Sequence, residues 1–245
     1  MGSVRNFAQL LHSVRVGPKG IESVLPDVHA ACAGIEPNAR TLLEGVAPRL
    51  EDRSSVDELA AWLAPRAAEL RDTLGAALGK PVNAKTRLAL DQLVTRLSSE
   101  LELARALVDL LDESAQGGLV RLSLPDLLRH AVSQRDESQR IEICVPEPLH
   151  GEALVNPHVA SVALGVAARW VAERSSGTPC LRLGSRGDAP ALQILAGGET
   201  GERVSLPALP LTGPTLRTVE AAARRACVEL EWQPPDAKVV LVLCA

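Results

Sequence analysis

The stretch ALQILAGGETGERVSLPALPLTG, Ala191 to Gly213, holds the residue types of an anion-binding turn. An apolar run leads to the glycine pair Gly197-Gly198, then to a short polar loop and a return spaced by Pro207 and Pro210. Glycines let successive backbone amides close on a phosphate, and GGETG could cradle an anion in that way alone. Short glycine loops more often only turn the chain. Holding a base or a metal asks for Asp or Asn oxygens, and the stretch has neither. Its one plausible acid, Glu199, sits beyond the glycines.

Other reactive side chains are scattered. His29, in DVHAACAGIEP, is the candidate for a phosphorylatable histidine, with an acid and a proline nearby on a predicted helix. A surface histidine without a role is the commoner outcome at such a place. His130 reads as structural. His12, His150 and His158 share no spacing with acids that would make a metal triad. GxSxG is absent, and Ser, Cys and His are nowhere arranged as a nucleophile pair. The cysteines Cys32, Cys144, Cys180, Cys227 and Cys244 contain no CxxC and read as buried, reduced thiols. No cofactor, metal or catalytic residue is expected.

Composition narrows the classes further. Of 245 residues, 46% are hydrophobic, so a sizeable core can form. With no Tyr, one Phe and a net charge of −4, the chain lacks both stacking platforms and a basic face, which argues against nucleic acid. No run of about 18 uncharged apolar residues marks a membrane span, and Arg5, His12 and Arg15 interrupt any leader-like pattern. A cytoplasmic protein without a membrane segment is the expectation.

Hydrophobic spacing gives the elements that must position these residues. SSVDELAAWLAPRAAELRDTLGAALGKP opens with Ser55 and Glu58 in capping-box spacing and closes with Gly79 and Pro81. Its apolar residues Val56, Leu59, Leu63, Ala67, Leu70, Leu74 and Ala77 alternate by three and four. A second helix, Ala84 to Asp112, repeats the rule with Leu90, Val94, Leu97, Leu101, Ala104, Val108 and Leu111, and adds Leu93, Leu103, Leu107 and Leu110 off that seam. One seam closes a helical hairpin and the surplus needs another partner. A homodimer through residues 54–112 would supply it as a four-helix bundle. Alternatively, N-terminal helices over roughly Val4–Val16 and Gly20–Val46 cover it within one chain.

Ser114-Ala-Gln-Gly-Gly118 is a break, giving domains 1–116 and 119–245. Beyond it the spacing predicts a helix (Leu124–Ser133), a strand (Arg140–Val145) and a helix capped by Asn156 that runs to about Ser175. Strands at Cys180–Gly184 and Ala191–Leu195, a helix over Pro214–Ala226 and a closing hairpin of VELEW and KVVLVLC follow. The fold class is α+β, an N-terminal helical hairpin followed by an α/β sandwich with a mixed sheet and helices on one face.

This layout resembles the sensor histidine kinases, whose dimerisation hairpin precedes an ATP-binding domain of the GHKL type. LSLPDLLRHAV resembles the opening of that domain, VNPHVASVALGVAARWVAE the helix carrying its N box, and VELEWQPPDAKVVLVLCA its last hairpin, so the resemblance covers residues 54–245. The catalytic words are missing. Arg169 or Trp170 stands where the family's magnesium-binding Asn would be, and no Asn occurs after Asn156. Ala196 stands where its adenine-reading Asp would be. The flexible lid is cut to Glu199–Thr212. The last glycine box is reduced to Thr-Gly-Pro around Gly213, with Pro214 lacking an amide. Pro65 matches the proline five residues after the phosphoacceptor His, which puts Ala60 at the histidine. Arg169 is expected to fill, with its stem and charge, the space that metal and phosphates occupy in a working kinase.

The resemblance therefore implies a non-catalytic signalling adaptor, cytoplasmic and dimeric, that neither binds ATP nor autophosphorylates. Its partner would be a response-regulator receiver, a partner kinase or another regulatory protein. The docking residues would be Trp62, Pro65 and Arg66, where family members meet receivers. Two rivals stand beside this reading. One is a phosphorelay histidine phosphotransferase with His29 as acceptor, and the other a divergent ATPase whose acid is Glu199.

Overall fold

A computed structural model describes residues 84–116, 118–134, 139–187, 189–197 and 200–244, and scattered helical positions between Glu58 and Ala76. His29, Arg66, Gly198, Glu199, the stretches Val4–Val16 and Gly20–Val46, and most of the first predicted hairpin helix lie outside the described residues. The chain divides into two compact units, one up to Val108 and one from Asp109 to Ala245.

In the first unit, α1 (Ala84–Gln116) carries most of what is described. Its buried residues come from the predicted seam, as with Ala104, and from the off-seam set, as with Leu103 and Leu107. Leu88, near its start, is 59% exposed. Arg96 reaches Glu69 on the preceding helical stretch at 3.1 Å and Glu100 on its own helix at 3.4 Å. Both Arg96 and Glu69 are about half exposed, so the pair adds little stability. The division into units falls inside α1, upstream of the Ser114–Gly118 break. The last turns of the helix belong to the second unit, with Leu110, Leu111 and Ser114 buried.

The second unit continues with β1 (Val120–Ser123), α2 (Leu124–Ser133), β2 (Arg140–Val145), β3 (Glu152–Val155) and α3 (Pro157–Arg174). Then come β4 (Pro179–Arg186), β5 (Ala189–Ala196), β6 (Glu202–Pro207), α4 (Gly213–Arg225), β7 (Val228–Gln233) and β8 (Lys238–Leu243). Six strands form one sheet in the order β6-β2-β4-β5-β8-β7; β2 and β4 run parallel and every other neighbouring pair antiparallel. The parallel pair needs a crossover, which the β3–α3 segment provides. β1 and β3 form a separate antiparallel ribbon.

Side chains alternate across the strands. One face collects Ile143, Leu181, Leu192, Ile194, Val239 and Leu241, all at 1% exposure or less. α3 lies on this face, touching β2, β4, β5, β6 and β8, while α2 and α4 pack beside it. The opposite face carries charged pairs, Arg186 with Glu231 at 2.5 Å and Arg203 with Glu142 at 3.8 Å. The mixed sheet with helices on one face is as the sequence indicates. Three strands are additions: β1, β3 and β6 occupy segments whose spacing did not mark them, and β6 falls inside the predicted lid.

Each helix of this unit starts on a local signal. Ser123 caps α2 by accepting the Asp126 amide at 3.2 Å. Asn156 caps α3 by accepting the His158 and Val159 amides at 3.1 and 3.2 Å, with Pro157 in the first turn, where no amide is needed.

Candidate functional site

The glycine turn has a topological purpose. β5 and β6 follow each other in the chain but are not neighbours in the sheet, because β4 and β2 lie between them. The link must cross the ends of both strands closely. Gly197 takes φ 83° and Gly201 φ 148°, both costly for a residue with a Cβ. A Cβ on Gly201 would lie 2.6 Å from Pro146 Cα and 2.7 Å from the Val145 carbonyl oxygen, at the end of β2. Cys144 adds a hold by donating its thiol to the Thr200 carbonyl at 3.3 Å. The glycines are thus required by the crossing itself.

The segment predicted as a shortened lid is instead a sheet strand. β6 pairs with β2 along its whole length, from Arg140 opposite Pro207 to Val145 opposite Glu202. Its far end turns inward, with Leu206, Ala208 and Leu209 buried and the Ala208 amide donating to the Gln139 carbonyl at 2.8 Å. This end sits on α3 at Gly165, where an added Cβ would be 1.9 Å from the Pro207 carbonyl oxygen. Glycine is what permits the approach.

α3 is correspondingly closed. From Val159 to Val171 only Val162 and Arg169 are not buried. A helix apolar on all sides belongs inside a core. Its one internal hydroxyl, Ser161, is satisfied by the Pro157 carbonyl at 2.6 Å. Arg169 lies along its own helix, with Nε 3.1 Å from Glu173 Oε1. The expectation from sequence is that its stem and charge fill the space of metal and phosphates; in the structure its charge is paired with Glu173 one turn along the same helix. Trp170 packs against Trp232 of β7 with ring centroids 5.3 Å apart at 51°, a favourable tilted arrangement. Arg174 covers the Trp170 ring at 4.2 Å, and Trp232 donates its indole N–H to Glu220 of α4.

Three of the amide positions at the start of α4 are accounted for. Pro214 has none, Thr215 donates to the Thr212 hydroxyl at 3.2 Å, and Leu216 donates to the Thr212 carbonyl at 3.4 Å. The Thr215 hydroxyl closes the turn on the Pro210 carbonyl at 2.8 Å. A helix start that would otherwise receive an anion is capped from within.

Trp62 is half-buried and Pro65 exposed, both on the first helical stretch. His130 and His158, 28 positions apart in sequence, come together through Gln134, whose amide lies 3.3 Å from His130 Nε2 and 3.0 Å from His158 Nδ1. His158 Nε2 faces Glu113 Oε2 at 3.6 Å. They line an open cavity of about 330 Å³ with Asn156. Among the described residues no cluster of His, Cys, Asp or Glu could hold a metal ion. Cys144 and Cys180 are buried free thiols, as expected. Cys227 is half-buried and Cys244 exposed, which corrects the expectation of uniformly buried cysteines. Among the described residues no helix is long and apolar enough to cross a membrane.

The fold and these positions define an α+β unit with a mixed six-stranded sheet under three helices. No protein-family model and no curated relative matches the chain. Among solved structures it is similar to the histidine kinase AdeS of Acinetobacter baumannii, with 14% identity and a TM-score of 0.38 over 78% of this chain and 94% of that one.

Proposed function

We propose that the chain is a non-catalytic, histidine-kinase-like signalling adaptor that acts through protein–protein contact in a two-component-type pathway. One observation carries the reading: the segment that would have to open as a nucleotide lid is strand β6, and its end is seated on α3 at Gly165. Opening this segment as a lid would strip six ladder positions from β2 and expose Leu206 and Leu209. The Thr215 and Leu216 amides, both donated to Thr212, and the ion-paired Arg169 support the same reading. A domain layout kept without its ligand chemistry serves most simply as a docking surface.

The adaptor dimerises through residues 54–112 and presents the region of Trp62, Pro65 and Arg66 to a receiver domain or a kinase. Contacts of this kind are small and carried by a few anchors. The test presents the purified chain to a receiver domain and to a live kinase supplied with labelled ATP. A complex should form, and no label should appear on this chain. Trp62→Ala should abolish the complex and leave the melting temperature unchanged. If that variant unfolds instead, Trp62 is a core residue and the docking site is misplaced. Acid-labile phosphate on His29 would make the chain a phosphotransferase.

A further inference from the structure

The geometry points to Cys227 and Cys244 as a reversible dithiol–disulfide pair, oxidised by a low-molecular-weight disulfide of the glutathione class. The closing hairpin pairs Val228 with Leu243, and Cys227 and Cys244 are the next residues outward on its two chains. The Cys244 amide donates to the Cys227 carbonyl at 3.2 Å. Residues of adjoining chains joined by such a backbone hydrogen bond lie about 5.5 Å apart between Cα atoms, inside the roughly 4.4–6.8 Å that a disulfide spans. The Cys227 thiol also acts on the Cys244 thiol, helping to raise its pKa.

The surroundings separate this pair from the other described cysteines. Cys144 and Cys180 are at most 2% exposed, beyond the reach of a dissolved oxidant. Cys244 is exposed, and Cys227 behind it is half-buried. Cys227 also holds φ at 59°, a left-handed conformation that few residues other than glycine, asparagine and aspartate adopt readily, so its backbone is fixed by its position after α4. The Cys244 carbonyl accepts the Leu154 amide at 2.9 Å, which ties the β1–β3 ribbon to the end of β8. A bond between the two sulfurs would fasten this corner covalently.

The exchange balances in two steps. The Cys244 thiolate attacks one sulfur of glutathione disulfide, breaking that S–S bond and releasing one glutathione. The Cys227 thiolate then attacks Cys244 Sγ and expels the second. Two protons and two electrons leave the protein, and the disulfide reagent becomes two thiols. Although Cys244 is exposed as a residue, partial desolvation of its thiol, then the hydrogen bond and charge of Cys227, raise its pKa, so the first step is slow at neutral pH.

The full chain is equilibrated with rising ratios of glutathione disulfide to glutathione, alkylated, digested and mapped by mass spectrometry. The expected product joins the Cys227 and Cys244 peptides with the mass of two hydrogens lost, and raises the melting temperature by roughly 5–10 °C. Cys227→Ser should instead trap a glutathione adduct on Cys244. Cys227→Gly, suited to the left-handed backbone, should trap the same adduct and serves if the serine variant folds poorly. A wild-type chain that stays reduced, keeps a stable adduct on Cys244, or joins Cys244 to a different cysteine overturns the assignment.

Discussion

Replacing Gly165 by Ala tests whether β6 is truly seated on α3. The new methyl would begin 1.9 Å from the Pro207 carbonyl oxygen and 3.0 Å from its carbon. Relieving that overlap requires the end of β6 to retreat by more than an ångström, since the opposing atom is backbone and cannot rotate away. The retreat strains the Ala208-to-Gln139 hydrogen bond, worth about 1 kcal/mol, and loosens the packing of Leu206 and Leu209. Overpacking of this kind costs about 1–3 kcal/mol or more. Alanine returns roughly 0.5–1 kcal/mol through its helix preference. The net expectation is a loss of about 1–3 kcal/mol, lowering the melting temperature by roughly 3–10 °C. Differential scanning calorimetry with circular dichroism reads it directly. Gly213→Ala is the control, because nothing lies within 4 Å of its added carbon, and it should change little. A Gly165→Ala protein melting at or above the wild type would refute the seating of β6 on α3.

Three other outcomes follow from named contacts. Glu220→Ala leaves the Trp232 indole N–H without its acceptor and should cost about 1–3 kcal/mol in urea unfolding followed by tryptophan fluorescence, whereas Glu220→Gln should cost less. Leu97→Asp with Leu101→Asp should dissociate the dimer proposed from the apolar seam, which light scattering at micromolar concentration reports; a monomeric wild type would remove the premise. Because the Cys244 pKa is raised in the folded state, its stabilisation is complete below the ordinary value of 9.0 and is lost as pH climbs through the raised one. The wild type should therefore lose more stability than Cys244→Ser between neutral and strongly alkaline pH, and an equal loss would contradict the raised pKa.

Much of the second unit was legible because its signals are local. Asn156 and Pro157 announce α3, and the apolar alternation of KVVLVLC and VELEW announces the hairpin, so those boundaries fall within a residue or two of the structure. β6 was not legible. Its alternation is only Val204 and Leu206, it ends in proline, and its pairing partner β2 lies some sixty residues upstream. β3 failed similarly, as four residues between His150-Gly151 and Asn156 carry no period long enough to read. The departures from the kinase motifs at Ala196, Arg169 and Pro214 were legible. The approach of Pro207 to Gly165 was not, because it is a tertiary contact. Spacing in sequence likewise hid the Cys227–Cys244 pair, which only the hairpin register brings together.

The central claim is that this chain has a kinase-like layout without nucleotide chemistry. Titration calorimetry of the purified chain with ATP and magnesium tests it most directly. No heat of binding is expected, because β6 is seated on α3 at Gly165, Pro214 has no amide, and the Thr215 and Leu216 amides are already donated to Thr212. A dissociation constant below about 100 μM, roughly 5.5 kcal/mol of binding, would contradict it.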